Sequence, residues 1–95
     1  MSPVRTLPMV YIYVLKSLKD RKLYTGSTKN LSRRIKEHGE GKVFSTKSRR
    51  PFVLIYYEAC LSESDAKRRE RYLKTGMGKR YLKNRLKNTM EVLTG

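Results

Sequence analysis

Met9-Val10-Tyr11-Ile12-Tyr13-Val14-Leu15 is apolar at every position, and no other feature of the chain constrains its fold as strongly. A strand with one wet face alternates apolar with polar residues, whereas one that is apolar on both alternations is covered on both faces. Residues 9–15 are therefore expected to form a central strand with a layer on either side. The run is far below the ~20 residues needed to span a bilayer, so no membrane partner is expected.

A polar stretch, 16–22, leads to Leu23-Tyr24-Thr25-Gly26, which reads as a short returning strand. A turn centred between Leu18 and Lys19 places Tyr13 opposite Tyr24, making the two phenols neighbours. Ser27-Thr28-Lys29-Asn30 is rich in helix-capping residues and precedes a short helix over 31–38 that stops at Gly39. Leu31, Arg34, Ile35 and His38 follow the i, i+3, i+4, i+7 spacing and share one face of it.

Residues 42–50 are expected as an exposed loop closed by Pro51, and 52–57 as a third, buried strand. Ser62-Glu63-Ser64-Asp65 resembles a capping box opening a helix to Lys74, ended by Gly76. Ala66, Glu70 and Leu73 fall on one stripe of that helix, which sets a carboxylate among core-facing positions. A last helix is expected over 79–87 with Leu82 and Leu86 inward. The resulting organisation is an N-terminal arm (1–8), one α/β (α+β) domain over 9–87, and a frayed C-terminal tail (88–95).

Charge decides the class of partner. Lys and Arg number 23 against 8 Asp and Glu, a net charge of +15, and such a polycation is expected to bind a polyanion, most commonly nucleic acid. A hydrophobic content of 38% and seven Tyr are enough to build a core, which argues against a disordered basic tail. Cys60 is alone, so an internal disulfide is excluded, and Cys60 with His38 is too few for a zinc site. Residues 1–8 contain no apolar segment of secretory type, and a soluble, cytoplasmic protein is expected.

Several residues could carry chemistry, and each has a plainer reading. The segment 67–87 holds ten basic residues and one acid, Glu70; these could be solvated helix faces or a phosphate-binding surface. Lys47, Arg49, Arg50, Arg69, Lys74, Lys79 and Arg80 are the candidate nucleic-acid contacts, which supply salt-dependent affinity and no sequence specificity. Glu70 could be a surface ion-pair partner of Lys74 at i+4. Facing the core, it would instead require protonation, a buried cation or a metal. Tyrosines in strands are usually packing residues. Beside a metal or an arginine, however, a phenol can move toward its phenolate and take a proton from water. His38 is either a structural hydrogen-bonding residue or a base in a useful titration range. The Tyr24-Thr25-Gly26-Ser27-Thr28 turn lacks the GxxxxGK spacing of a nucleotide loop, and its glycine marks a tight turn or a close approach.

The succession Tyr11-Ile12-Tyr13, Tyr24-Thr25-Gly26, Asn30-Leu31-Ser32-Arg33-Arg34, His38 and Glu70 resembles a GIY-YIG nuclease domain. It is similar to small stand-alone members and to the N-terminal domain of the GIY-YIG subunit of the excision-repair nuclease. The likeness runs from about Val10 to about Lys87. It implies a three-stranded antiparallel sheet flanked by helices, acting as a divalent-metal-dependent endonuclease on DNA, with repair or recombination as its setting. By motif position it assigns Tyr13 and Tyr24 to the two family tyrosines, Arg34 to the helix arginine, His38 to a histidine common in stand-alone members, and Glu70 to the metal-binding acid for Mg²⁺ or Mn²⁺. Tyr11 stands where the name-giving glycine would be, and Ser27 replaces a lysine of the repair nuclease.

Two further readings remain open at the level of sequence. One is a nucleic-acid-binding module that keeps the fold and basic surface without cleaving; the other is a basic protein associated with RNA. A domain this small has no room for a separate sequence-reading module, so substrate choice is expected to rest on DNA shape or on a protein partner.

Overall fold

In the computed structural model, which describes residues 3–94, the chain forms three strands and five helices. They are β1 (Val10–Ser17), β2 (Leu23–Thr28), α1 (Leu31–Gly39), α2 (Phe44–Lys47), β3 (Phe52–Cys60), α3 (Glu63–Leu73), α4 (Gly76–Arg85) and α5 (Lys87–Thr94). The sheet has the order β2-β1-β3 and is antiparallel throughout. The expected α+β architecture with β1 at its centre is therefore present.

The two alternations of β1 serve different layers. Ile12 and Val14 are buried with Ala66 and Leu73 of α3 and Leu82 of α4 in the hydrophobic core. Each of the larger ones, Ile12, Val14, Leu73 and Leu82, contributes about 1.5–3 kcal/mol by leaving water. Tyr13 points the other way, toward His38 of α1. Both helix starts read from the sequence are realised: the Asn30 side chain accepts from Arg33 N, and the Ser62 side chain accepts from Asp65 N.

Five expectations are corrected. The third strand, expected to be buried over 52–57, runs to Cys60 as an edge strand with no fully buried residue. Tyr13 pairs with Gly26 and Tyr24 with Leu15, a register two residues from the expected Tyr13–Tyr24 pairing. The cause is a longer turn: Ser17 Oγ accepts from both Lys19 N (3.1 Å) and Asp20 N (3.0 Å), and Arg21 adopts a left-handed φ of 65°. Because the slip is even, the two phenols stay on one face of the sheet, with ring centroids 6.4 Å apart.

The expected loop at 42–50 contains α2, whose Thr46 is fully buried. Of the frayed tail expected over 88–95, the described residues 88–94 are helical and belong to α5 (Lys87–Thr94), and Met90 packs its sulfur near Lys16. The last major helix begins at Gly76, not Lys79, because Thr75 caps it through Gly78 N. A Cβ at Gly78 would collide with Tyr72 O and lie 2.5 Å from Leu73 Cα, so α4 crosses the end of α3 where no side chain fits. Gly78→Ala is expected to lower stability by about 3 kcal/mol, since backbone has to move to make room. Chemical denaturation checks this.

Candidate active site

Tyr13 and His38 are both buried, and the Tyr13 hydroxyl is 2.7 Å from His38 Nε2. On the other side of the ring, His38 Nδ1 is 2.8 Å from Thr46 Oγ1, which itself donates to Val43 O at 3.4 Å. With its proton directed to that carbonyl, the threonine oxygen accepts from Nδ1–H. This network assigns the Nδ1–H tautomer and leaves Nε2 to accept from Tyr13. Tyr24 packs edge-on against His38 with ring centroids 5.2 Å apart, and Phe52 closes another side at 6.5 Å.

Arg34, one helical turn before His38, interacts with the Tyr13 hydroxyl and donates to Glu37 Oε1 at 3.1 Å. Burial raises the Tyr13 phenol above its ordinary value, with Arg34 opposing the shift. Burial, then the charge of Arg34, lowers His38. At neutral pH the pair is therefore a neutral phenol donating to a neutral imidazole.

Gly26 determines where that phenol sits. A Cβ there would stand 2.6 Å from the Tyr13 hydroxyl oxygen, so the Tyr13 ring lies across the backbone of edge strand β2 because position 26 has no side chain. Gly26→Ala is expected to displace the phenol, break the 2.7 Å contact to His38, and slow any reaction that uses it by about tenfold or more. DNA affinity should not change. Paired binding and rate measurements test both halves.

Glu70 reaches the same strand edge from the opposite face of the sheet. It follows buried Ala66 by one turn and interacts with Ser27, the neighbour of Gly26. Its side chain is 16% exposed; Oε2 accepts from Lys74 Nζ at 2.8 Å, and buried Oε1 has no hydrogen-bond donor. Both sequence readings are thus combined, a hydrogen-bonded ion pair with Lys74 on one oxygen and, on the other, an inward-facing oxygen with no hydrogen bond and only the Lys67 ammonium at 3.9 Å. Burial opposes its ionisation, but Lys74, Ser27 and Lys67 hold the carboxyl below its usual range. The Tyr13 phenol senses this charge. Lys67 Nζ lies 3.3 Å from Ser27 Oγ, so an ammonium group stands beside the serine that departs from the repair-nuclease pattern.

The donor set suits a hard divalent cation. Mg²⁺ is commonly held by one or two carboxylates, with water and phosphate oxygens completing its shell, and Oε1 of Glu70 is the oxygen left for it. Among the described residues no cluster of three or more His, Cys, Asp or Glu offers a fuller cage.

The seven candidate nucleic-acid contacts divide into two groups. Arg49 is paired with Asp20 at 2.7 Å, and Lys74 with Glu70. Arg69 donates to both oxygens of Glu58 and stacks between Tyr72 and Tyr81. These three charges are largely balanced by carboxylates of the fold, although Lys74 itself is exposed. Arg50 ties the end of α1 to α2 through Gly39 O and Lys47 O. Lys47, Lys79 and Arg80 are exposed. Sequence reasoning misses Thr46, because a single helical turn carries no periodicity to mark a buried position.

The family model for the GIY-YIG catalytic domain matches residues 9–88. The chain belongs to the GIY-YIG family. A UPF0213 protein of Staphylococcus haemolyticus is 50% identical over 66 residues, covering 68% of this chain and 79% of that one. A UPF0213 protein of Clostridium perfringens is 45% identical over 67 residues, covering 70% and 71%. The solution NMR structure of a UPF0213 protein from Bacillus halodurans aligns with a TM-score of 0.50 at 38% identity, over 78% of this chain and 81% of that one. Membership supports a nuclease role on nucleic acid, and GIY-YIG nucleases generally use divalent metals. No helix among the described residues is long and apolar enough to cross a membrane.

Proposed function

We propose that this GIY-YIG chain is a divalent-metal-dependent endonuclease that hydrolyses DNA phosphodiesters, selects its substrate by DNA structure, and serves repair or recombination. One observation carries the reading: the Tyr13–His38 hydrogen bond of 2.7 Å lies at the same edge of β2 as a buried carboxylate oxygen without a donor. Glu70 is the residue that would hold Mg²⁺ or Mn²⁺, and the bound ion supplies neutralising charge to the scissile phosphate.

The chain's own residues supply the rest. Arg34 turns from Tyr13 and Glu37 to the phosphate, where its guanidinium stabilises charge developing in the transition state and uncovers the phenol. Tyr13 takes a proton from the attacking water as it passes its own to His38 Nε2, so a phenol of raised pKa acts as a relay and not as a standing phenolate. Thr46 and Tyr24 hold the imidazole ring in place. Hydrolysis leaves a 5′-phosphate and a 3′-hydroxyl.

Incubation of the protein with branched, flapped and linear DNA in Mg²⁺ or Mn²⁺, with EDTA as control, tests the assignment. Metal-dependent cleavage, strongest on branched or flapped DNA, is expected. Binding without cleavage would instead favour a non-catalytic module.

The relay also fixes a pH dependence. Protonated His38 has no acceptor nitrogen, so cleavage falls as pH falls through the His38 pKa, which burial and Arg34 place below the ordinary 6.5. The acid limb of kcat/KM is therefore expected below pH 6.5; a limb above it would contradict the relay. Stability follows the same sign. The unfolded chain binds this proton more readily, so the folded state weakens as pH drops below about 6.5.

A further inference from the structure

At the end of β1 remote from Gly26, the β1–β2 turn faces α4 and α5 across a groove of about 770 Å³. Lys16, Arg21, Lys22, Lys79, Arg80 and Lys83 surround a floor formed by Leu23 and Met90, and no carboxylate lines it among the described residues. Arg49 also reaches the groove, but Asp20 balances it.

The cations are held there against opposing physical forces. Lys16 is only 7% exposed, and its ammonium meets Met90 Sδ at 3.9 Å, a weak acceptor. The aliphatic stem of Lys16 is packed away while its side chain lines the groove. Lys79 stands in the first turn of α4, which contains no acid, so its charge adds to the positive end of the helix dipole. Lys83, four residues on, repels it along the same face. Arg21 keeps a left-handed φ of 65° with its guanidinium donating to Leu93 O at 3.3 Å, a backbone conformation unfavourable for arginine. A polyanion in the groove offsets the mutual repulsion of these cations and that of Lys79 with the helix dipole.

We propose that this groove binds a second phosphodiester segment of the DNA, one that is not cut. The choice of DNA as the polyanion rests on the nuclease reading above. Lys16 and Tyr13 face opposite sides of the sheet and are three residues apart along β1, roughly 10 Å, so one linkage does not occupy both sites. The occupant is a second arm of the same molecule, with its phosphates against Lys79 and Lys83 on one wall and Arg21 and Lys22 on the other. Two separate sites, one at the Gly26–Ser27 edge of β2 and one between the β1–β2 turn and α4, favour DNA that branches over DNA that runs straight.

The test uses the full chain in EDTA, with fluorescence anisotropy comparing a three-way junction with a linear duplex of equal length over a salt series. Wild-type protein is expected to prefer the junction. Lys79→Ala with Lys83→Ala should weaken junction binding about tenfold or more, lower the slope of log affinity against log salt by about 2, and abolish the preference. Arg68→Ala with Arg71→Ala removes the same charge from the exposed face of α3 and should keep the preference. Lys16→Met, similar in volume, should weaken junction binding while melting no lower than wild type. Absence of any junction preference in the wild type, equal losses in the two double variants, or a destabilised Lys16→Met with wild-type affinity would each overturn the proposal. Cleavage is scored separately in Mg²⁺: a protein that prefers the junction yet cuts nothing overturns the nuclease reading and leaves the second binding segment standing.

Discussion

Glu70→Gln is expected to reduce Mg²⁺-dependent DNA cleavage by about 10³-fold or more, because charge neutralisation at a metal-held phosphate contributes several kcal/mol and each 1.36 kcal/mol is a factor of ten. The amide matches the carboxylate in shape, so α3 should pack as before. Removing one acid from a chain of net charge +15 leaves the field that attracts DNA intact, and affinity should be unchanged or slightly higher. Folding stability should also hold. Glu70 Oε1 is buried without a hydrogen-bond donor, so its desolvation cost partly cancels the ion pairs with Lys74 and Lys67. Cleavage and binding measured on one preparation shown free of host nuclease separate these effects. Undiminished cleavage by the variant removes Glu70 from the metal site.

Tyr13→Phe carries the second largest expected effect, a loss of about 10²–10⁴ in cleavage rate, the usual range for a positioned proton-transfer group. The ring is almost fully buried and phenylalanine fills the same space, so the sheet and its register should survive. The hydroxyl is a partner of both His38 and Arg34, and its loss should cost about 1–3 kcal/mol in stability. The rate and the acid limb of the pH profile should change together, because His38 then has no phenol to receive a proton from. A variant that cuts at the wild-type rate would move water activation to Tyr24 or to His38 acting directly.

Features written in local sequence were legible, and features set by distant partners were not. The unbroken apolar run of β1 indicates a strand covered on both faces. The Asn30 and Ser62 caps mark two helix starts, and the Ala66, Glu70, Leu73 stripe turns the acid inward. The strand register depends on a turn organised by Ser17 and by Arg21 at positive φ, which no hairpin rule supplies. Arg49 and Arg69 look like free cations in sequence because their carboxylates, Asp20 and Glu58, lie 29 and 11 residues away. Gly76 and Gly78 suggest a break, yet a capped helix starts there because close packing of α4 on α3 requires a missing Cβ. The groove at Lys16 is likewise invisible before folding, since β1, the turn at Arg21 and Lys22, and α4 meet only in three dimensions.

The central claim is that a metal-held phosphate and the Tyr13 phenol meet at the Gly26–Ser27 edge of β2. Anomalous scattering from crystals of the protein grown with Mn²⁺ and a short DNA locates the metal directly. The expected result is a Mn²⁺ peak beside Glu70, with a DNA phosphate next to it and within reach of the Tyr13 hydroxyl. A peak elsewhere in the protein, with Glu70 still paired only with Lys74 and Lys67 and the phosphate bound away from Tyr13, would contradict it.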